Sequence, residues 1–171
     1  MTTIEAQAQP GNLLPEASLV SGSLSELQDG TYQLCSQPDP QDWRDGAGVC
    51  LAMRKQGSQV QGYYGYPHSD CLICLLGYVQ DNTITGVAAS PVVMGSTYLG
   101  SPEAEFYWDE EENLWLNGRD SQLLSDPETG YSWMVLPHAS LDTRDLILYD
   151  SQRMRSPDEL CPWALITQAQ D

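Results

Sequence analysis

The clearest metal-binding spacing in the chain is that of Cys71 and Cys74, a Cys-x-x-Cys pair with His68 three positions before it. Thiolates and imidazoles are typical zinc ligands, but zinc motifs place such a pair in a turn where both sulfurs converge. Here the pair begins an apolar stretch typical of a strand, and residues three apart on a strand point to opposite faces. The spacing therefore favours buried structural cysteines, with a metal or redox site as the alternative, whose further ligands would be Cys35, Cys161 or His138.

The cysteine count argues against a disulfide framework. The chain has 5 cysteines, an odd number, and its N-terminal stretch Met1–Val20 lacks the basic and continuous apolar regions of a secretory signal. Disulfides are rare in cytoplasmic proteins. The sequence therefore predicts a cytoplasmic protein with unpaired cysteines, unless a leader has been removed.

Residues for catalysis are few. His68 and His138 are the only histidines, and neither a Gly-x-Ser-x-Gly elbow nor a Gly-x-x-x-x-Gly-Lys phosphate loop is present. Ser69 and Asp70 follow His68, but adjacent residues cannot aim at one another as a catalytic triad requires. We therefore predict that the protein is not an enzyme and needs no cofactor, with a thiol or metal enzyme as a lower-ranked alternative.

Carboxylates are abundant, which makes any single pair of them uninformative. The stretch Asp109–Glu112 has the charge for Ca²⁺, but it lacks the alternating oxygen ligands and the glycine of a calcium loop. It is predicted to be a solvated hairpin tip, and no metal site is predicted.

A tyrosine-rich corner and a tryptophan loop are the candidate binding surface. Aromatic side chains with a polar tip are favoured in ligand sites and partner interfaces. The alternative is that alternate tyrosines of a strand pack inside and that the tryptophan covers one end of the fold. The candidate binding residues are Trp43, Arg44, Tyr63, Tyr64, Tyr66, His68 and Asp70.

The charge of the chain limits its partners. The formal net charge is −17, from 24 acidic and 7 basic residues. Nucleic-acid binding depends on clustered Lys and Arg, so a nucleic-acid partner is excluded. No apolar run approaches the roughly 20 residues of a membrane span. The acidity indicates either solubility alone or docking to a partner with a basic surface.

Two hairpins between Val49 and Ser90 organise the chain. Val49–Lys55 turns at Gln56-Gly57 and returns as Gln59–Tyr66, and Leu72–Gln80 turns at Asp81-Asn82 and returns as Thr83–Ala89. Gly, Asp and Asn tolerate the backbone of tight hairpin turns. A turn, an alternating strand and then a glycine recur at Gly62 and Gly86, and one position later at Gly118, which predicts a meander that bends at its glycines.

The remaining elements complete a mainly β fold. Further strands are predicted at Thr31–Cys35, Glu103–Asp109, Leu114–Asn117 and Tyr131–Leu136, and polar loops at Ser36–Ala47 and Gly118–Gly130. We predict an N-terminal arm over residues 1–28, with a possible short helix at Pro15–Leu27, and one domain over 29–171. This domain is an antiparallel meander of about eight strands, a small barrel or strongly curved sheet, with one helix at about 140–155. The segment Asp145–Tyr149 could instead be a strand.

Several short motifs, in the same order, resemble a group of uncharacterised cyanobacterial β-rich proteins. They are Asp29-Gly30-Thr31-Tyr32, Ser36-Gln37-Pro38-x-Pro40, Gly57-x-x-Val60-x-Gly62, and Tyr66-Pro67-x-Ser69 with Cys71, all within residues 29–90. The resemblance implies a small β-domain of cyanobacterial origin and brings no known catalytic residues. By association, it implies a role near the photosynthetic apparatus.

The predicted function is that of a non-enzymatic, acidic β-barrel module that binds a protein partner as an assembly or accessory factor. The alternative is a lipocalin-like carrier, because closed barrels of about eight strands hold one small hydrophobic ligand.

Overall fold

The computed structural model describes residues 22–92 and 104–169, which form ten strands, two short helices and two 3₁₀ turns. The first five strands are β1 (Gly30–Cys35), β2 (Cys50–Gln56), β3 (Gln59–Gly65), β4 (Leu72–Gln80) and β5 (Thr83–Val92). The others are β6 (Glu105–Tyr107), β7 (Leu114–Asn117), β8 (Gln122–Ser125), β9 (Ser132–Asp142) and β10 (Ile147–Leu148). The helices are α1 (Pro157–Leu160) and α2 (Trp163–Ala169), and the 3₁₀ turns are Leu24–Glu26 and Trp43–Asp45.

All strands pair antiparallel in one sheet, in the order β10-β1-β2-β3-β4-β5-β9-β7-β6, with β8 on β9 beside β7. The prediction of a mainly β, strongly curved antiparallel sheet is confirmed. The sheet is an open half-barrel, because its end strands β10 and β6 do not pair with each other. The ten strands exceed the predicted eight by β8, which lies in the predicted polar loop, and by β10, which lies in the predicted helix.

The two predicted hairpin turns are confirmed. Gly57 and Asp81 each begin a two-residue loop and have φ values of 61° and 56°. This left-handed region suits glycine and is tolerated by Asp, which explains both residue types.

Close approach of β4 to β5 requires glycine on both strands. Gly77 and Gly86 are direct cross-strand partners. A Cβ on Gly86 would lie 2.5 Å from the Cα of Gly77, and it would overlap the carbonyl oxygen of Leu76. The backbones can therefore meet here only because both side chains are missing, as expected where a sheet bends.

The sheet is apolar on both faces. The first face carries the larger core, in which Leu34, Leu51, Tyr64, Leu116 and Leu141 are fully buried. The second face carries a smaller cluster that is covered by residues 153–169, here called the C-terminal strap. Ile166 of α2 is fully buried in this cluster.

The predicted helix at 140–155 is wrong. Strand β9 continues to Asp142 because Leu141 pairs with Ile84 on one side and Leu114 on the other. A short turn follows, in which the Leu146 N–H donates to the Thr143 carbonyl at 3.0 Å, and β10 then pairs with β1. Packing between two strands outweighed the helical propensity of the segment, and the alternative of a strand within residues 145–149 is the one observed. The helices come later, in the strap.

Part of the predicted arm packs on the sheet. Residues 1–21 lie outside the described part of the chain, so most of the possible helix at Pro15–Leu27 does too. Leu24 is fully buried in the first-face core, and its N–H donates to Asn82 Oδ1 at 2.8 Å. The Lys55 ammonium donates to the Leu27 carbonyl at 2.7 Å.

The prediction of unpaired cysteines is wrong for four of the five. Cys35 and Cys50 are cross-strand partners on β1 and β2 and form a disulfide, with their Cα atoms 4.0 Å apart. Cys74 on β4 forms a second disulfide with Cys161 of the strap. Only Cys71 is free, and it is exposed. An odd count is compatible with two pairs, and the strand register that created the first pair could not be read from the count.

Candidate functional site

A cleft of about 540 Å³ lies between the β3–β4 corner, the 3₁₀ turn at Trp43 and the C-terminal strap. We call it the strap cleft. Five of the seven predicted binding residues line it, namely Trp43, Tyr63, Tyr66, His68 and Asp70. The strap adds a wall that the sequence did not indicate, with Arg153, Met154, Arg155 and Leu160.

An aromatic and cationic cluster forms one side of the cleft. The rings of Trp43 and His68 meet edge to face with centroids 5.4 Å apart, and His68 Nε2 lies 3.1 Å from the Trp43 carbonyl oxygen. The Arg153 guanidinium lies 5.8 Å from the centroid of the Trp43 ring, within the range of a cation–π contact. Arg153 also forms an ion pair with Asp39, 3.0 Å between Nε and Oδ1. The indole is thus held between two elements distant in sequence.

The corner that carries His68 is fixed by its own hydrogen bonds. The Ser69 hydroxyl donates to the Tyr66 carbonyl at 2.7 Å and accepts from the Cys71 N–H at 3.1 Å. His68 has φ = 67°, a left-handed conformation that is uncommon for a residue with a side chain. Asp70 lies exposed in the same corner. The corner therefore presents His68 and Asp70 from a defined backbone.

Tyr63 connects the sheet to the strap. Its ring lies in the second-face cluster, and its hydroxyl donates to the Arg155 carbonyl at 2.8 Å. Burial raises the pKa of Tyr63 to about 12. The hydroxyl therefore stays protonated, as a donor to Arg155 must.

Tyr64, the next residue, points to the opposite face. It is fully buried, and its hydroxyl donates to Asp109 Oδ2 at 2.7 Å and accepts from Asn113 Nδ2 at 3.2 Å. Burial, followed by the hydrogen bond to Asp109, raises its pKa far above the usual range. Tyr64 is therefore a core residue and offers no surface to a partner.

The predicted solvated tip at Asp109–Glu112 is wrong for Asp109. Its side chain is only 5% exposed, and besides Tyr64 it accepts hydrogen bonds from the N–H groups of Asn113 at 3.1 Å and Leu114 at 2.9 Å. A buried carboxylate needs such partners. The run of four acidic residues did not distinguish Asp109 from its neighbours, although its carboxylate organises the turn before β7.

Tyr66 joins the cleft to the β6–β7 hairpin. Its ring stacks on Trp108 with centroids 6.1 Å apart, and its hydroxyl donates to Glu111 Oε2 at 3.0 Å and accepts from the Glu110 N–H at 3.3 Å. Desolvation raises its pKa to about 12. Tyr66 thus lines one end of the cleft, and contacts with the β6–β7 hairpin hold its ring and hydroxyl in place.

Arg44 does not line the strap cleft. Asp42 caps the 3₁₀ turn, because its side chain accepts from the Arg44 N–H at 3.0 Å. The Arg44 guanidinium then turns back onto the same carboxylate, 2.8 Å between Nη2 and Oδ2. This side-chain hydrogen bond lowers the pKa of Asp42.

Gln33 anchors the strap, a role that the sequence did not indicate. It is 1% exposed on β1, and its Oε1 accepts from the N–H groups of Arg153 at 2.6 Å and Met154 at 3.1 Å. A glutamine between Tyr32 and Leu34 in a strand was the available signal, because a buried amide needs a partner. Asp158 of α1 adds an ion pair with Arg54 of β2.

The Cys-x-x-Cys pair cannot act as two metal thiolates in this fold. Cys74 is bonded to Cys161, and Cys71 is exposed on the corner. Within residues 22–92 and 104–169, no group of three or more His, Cys, Asp or Glu side chains is arranged to hold a metal ion.

The space that a carrier would use is occupied by protein. The first face of the half-barrel is packed with side chains, among them Met53, Tyr64, Ile73 and Leu136, all exposed by no more than 1%. A barrel interior filled in this way weighs against a ligand held inside the sheet.

No protein-family model, curated protein or solved structure matches this chain. The resemblance to cyanobacterial β-rich proteins therefore stays a prediction. Among the described residues, no helix has the length and apolar character to cross a membrane.

Proposed function

We propose that the protein is a non-enzymatic binding module that holds a segment of a protein partner in the strap cleft. The observation that carries this proposal is the convergence of Trp43, Tyr63, Tyr66, His68 and Asp70 on one open cleft. Trp43 comes from the 3₁₀ turn before β2, Tyr63 from β3, and the other three from the β3–β4 corner. Aromatic residues in partly enclosed pockets are the usual anchors of protein interfaces.

The walls of the cleft support binding without large rearrangement. The strap is attached by the Cys74–Cys161 disulfide, by the hydrogen bonds to Gln33 and by Tyr63. The Cys35–Cys50 disulfide closes the base of the loop that carries Trp43. A preorganised site loses little conformational entropy when it binds.

Charge favours a partner with a basic surface. The net charge of −17 attracts such a partner at long range and speeds its approach. The cleft itself is lined by Asp70 and also by Arg153 and Arg155, so this attraction comes from the molecule as a whole, and Asp70 is the carboxylate within the cleft that can contact a basic residue. A role as an assembly or accessory factor, near the photosynthetic apparatus, is the part of this proposal that rests on the sequence resemblance alone.

The cytoplasmic location stays a prediction, and the two disulfides weigh against it. Disulfides persist in oxidising compartments and are reduced in most cytosols. Thiol labelling of cells lysed directly into denaturant distinguishes the two locations, because the buried cysteines are then accessible. A cytoplasmic protein would react at all five cysteines and an exported one at Cys71 alone.

The test is native mass spectrometry of the tagged protein, purified gently from its own host, as wild type and as Trp43→Ala and His68→Ala variants. Tyr131→Ala is the matched control, because Tyr131 is 68% exposed and lies outside the cleft. We expect an added protein mass with the wild type and the control. We expect both cleft variants to lose it, because their side chains form the aromatic wall.

Each other outcome has a defined meaning. Retention of the same partner by Trp43→Ala and His68→Ala would reject the strap cleft as the site. A bare wild-type chain would remove the support for a stable partner. An added mass of a few hundred daltons would instead favour the carrier alternative.

A further inference from the structure

A second cleft, of about 570 Å³, lies on the second face of the sheet, away from the strap cleft. We call it the Trp115 cleft. Its polar and aromatic side chains come from three strands and one turn, and they are Thr85, Trp115, Asn117, Arg119 and His138. None of them belongs to the binding surface proposed above.

A β-bulge in β9 creates this cleft. Gly86 pairs with Ala139 and Ala88 with Leu136, so Pro137 and His138 together face a single residue of β5. Proline has no N–H to give to a ladder and is tolerated at such a bulge. The extra residue shifts the alternation of β9 and turns His138 to the second face, beside its cross-strand partner Asn117.

An uncharged row of side chains crosses five strands beside the cleft. Tyr78, Thr85, Ser140, Trp115 and Tyr107 are successive cross-strand partners on β4, β5, β9, β7 and β6. Direct partners lie on the same face of a sheet, about 5 Å apart, so the row is about 20 Å long. Tyr78 and Tyr107, at its ends, are 57% and 52% exposed.

The composition of this row differs from that of the chain. The protein has 24 acidic residues, yet the row contains no charge of either sign. Thr85 and Ser140 are ordinary residues for a solvated sheet face. The three aromatic side chains, Tyr78, Trp115 and Tyr107, are unusual on such a face, because large apolar side chains there leave apolar area exposed to water.

The polar groups of the cleft are mixed donors and acceptors with little net charge. Thr85 offers a hydroxyl and Asn117 an amide, and His138 lies 3.7 Å from Asp120, between Nε2 and Oδ2. Arg119 adds a cation, and Glu105, the cross-strand partner of Asn117, adds an anion. The charged side chains at this cleft have both signs and form no like-charged cluster that would select a strongly anionic or cationic ligand.

We propose that the Trp115 cleft and the adjoining row bind a neutral oligosaccharide. A sugar ring has one face of C–H groups, which packs on the electron-rich face of an aromatic ring, and a rim of hydroxyls that both donate and accept hydrogen bonds. Trp115 takes the C–H face of the central sugar, and Thr85, Asn117 and His138 take its hydroxyls. Tyr78 and Tyr107 contact the sugars on either side, which extends the site beyond a monosaccharide.

The test is isothermal titration calorimetry of the full chain with three neutral probes, cellohexaose, maltohexaose and the fully N-acetylated chitin hexamer. We expect saturable binding of at least one of them by the wild type. Trp115→Ala should weaken it about tenfold or more, the equivalent of one lost aromatic contact of about 1.4 kcal/mol. His138→Ala, with a half-exposed side chain that leaves the fold intact, should weaken it less, and Tyr131→Ala, outside the cleft, should not change it.

Thermal melting of each variant shows whether it is folded before it is titrated. No binding of any of the three hexasaccharides to the wild type would overturn the proposal. Equal affinity of wild type, Trp115→Ala and His138→Ala would also overturn it, and so would binding of an anionic oligogalacturonide in place of the neutral probes. The partner experiment on the strap cleft does not depend on any of these outcomes.

Discussion

The second face of the sheet has a covered part, under the C-terminal strap, and an open part, around Trp115. The same strands cross both parts and change composition between them. β4 passes from buried Leu76 to exposed Tyr78, β5 from buried Val87 to exposed Thr85, and β9 from buried Val135 to half-buried Ser140. A sheet face without a partner layer needs polar or amphipathic side chains, whereas a covered one needs apolar side chains.

The two parts also differ in how their clefts are made. The strap cleft lies between separate elements that are joined by a disulfide and by hydrogen bonds to Gln33 and Tyr63. The Trp115 cleft is formed by the sheet and the turn at Arg119 without the strap, and it depends on the bulge at Pro137 and on strand register. We therefore expect loss of the strap to change the strap cleft and to leave the Trp115 cleft unchanged.

The largest expected effect is that of removing the disulfides. Cys74 and Cys161 are 87 residues apart and Cys35 and Cys50 are 15 apart, so the double serine variants should lose about 4–5 and about 3 kcal/mol of unfolding free energy, respectively. Only the first pair holds the strap, so only the Cys74→Ser/Cys161→Ser variant should bind the dye ANS strongly while still folded. Urea unfolding with a dye titration measures both.

Cys71→Ser is the matched control for that experiment, because Cys71 is free and exposed. It should change the stability by less than about 0.5 kcal/mol. Equal dye binding by both double variants would mean that the strap stays in place without its disulfide, and the contrast between the two parts would then be weaker than proposed.

A smaller effect is expected from Tyr63→Phe, which removes the hydrogen bond to Arg155 and should cost about 1 kcal/mol at pH 7. The pKa of Tyr63 is raised to about 12 in the folded protein, by burial above all. Between pH 10 and 12 the unfolded chain has released this proton and the folded chain still holds it, so wild-type stability should fall as the pH rises through this window.

Urea midpoints measured from pH 9 to pH 11.5 test this. The variant should lose stability less steeply than the wild type, although Tyr66 and Tyr149, whose pKa values are also raised to about 12, retain part of the slope. Parallel curves for the two proteins would show that Tyr63 is not shielded by the strap.

The smallest effect is expected at the edge of the open part, from Asp142→Asn. The side-chain hydrogen bond from Arg144 lowers the pKa of Asp142 in the folded protein. A carboxylate with a depressed pKa stabilises the fold above its unfolded pKa, about 3.9, and this contribution is lost as the pH falls through the folded pKa. Because the pair is partly exposed, the variant should lose less than about 1 kcal/mol at pH 7, and this difference should shrink as the pH falls below the unfolded pKa. A difference that does not shrink with falling pH would assign the effect to packing instead of charge.

The predicted part of the fold is the part with short-range signals. The turns at Gly57 and Asp81 and the alternation along β2 to β5 were readable because neighbouring residues determine them. β8 was not readable and β10 was predicted only as the alternative to a helix, because strands of four and two residues owe their structure to the longer strands β9 and β1 beside them.

The candidate site divides in the same way. Residue types indicated Trp43, Tyr63, Tyr66, His68 and Asp70, and the structure brings these five to one cleft. The sequence could not separate Tyr63 from Tyr64, although one contacts the strap and the other lies in the core. It also missed the wall around Arg153, because Gln33, which anchors this part of the strap, lies 120 residues away in the chain.

By itself, the sequence determined the antiparallel β class, the central hairpins, the acidity and the aromatic corner, since each depends on composition or on residues a few positions apart. Only the tertiary structure decided which cysteines pair, which carboxylate is buried, where the helices lie and which aromatic residues share a cleft. These features depend on register and on contacts between segments far apart in the chain. Strand register moves every side chain from one face to the other when it shifts by one residue, and at Pro137 one extra residue placed His138 beside Asn117.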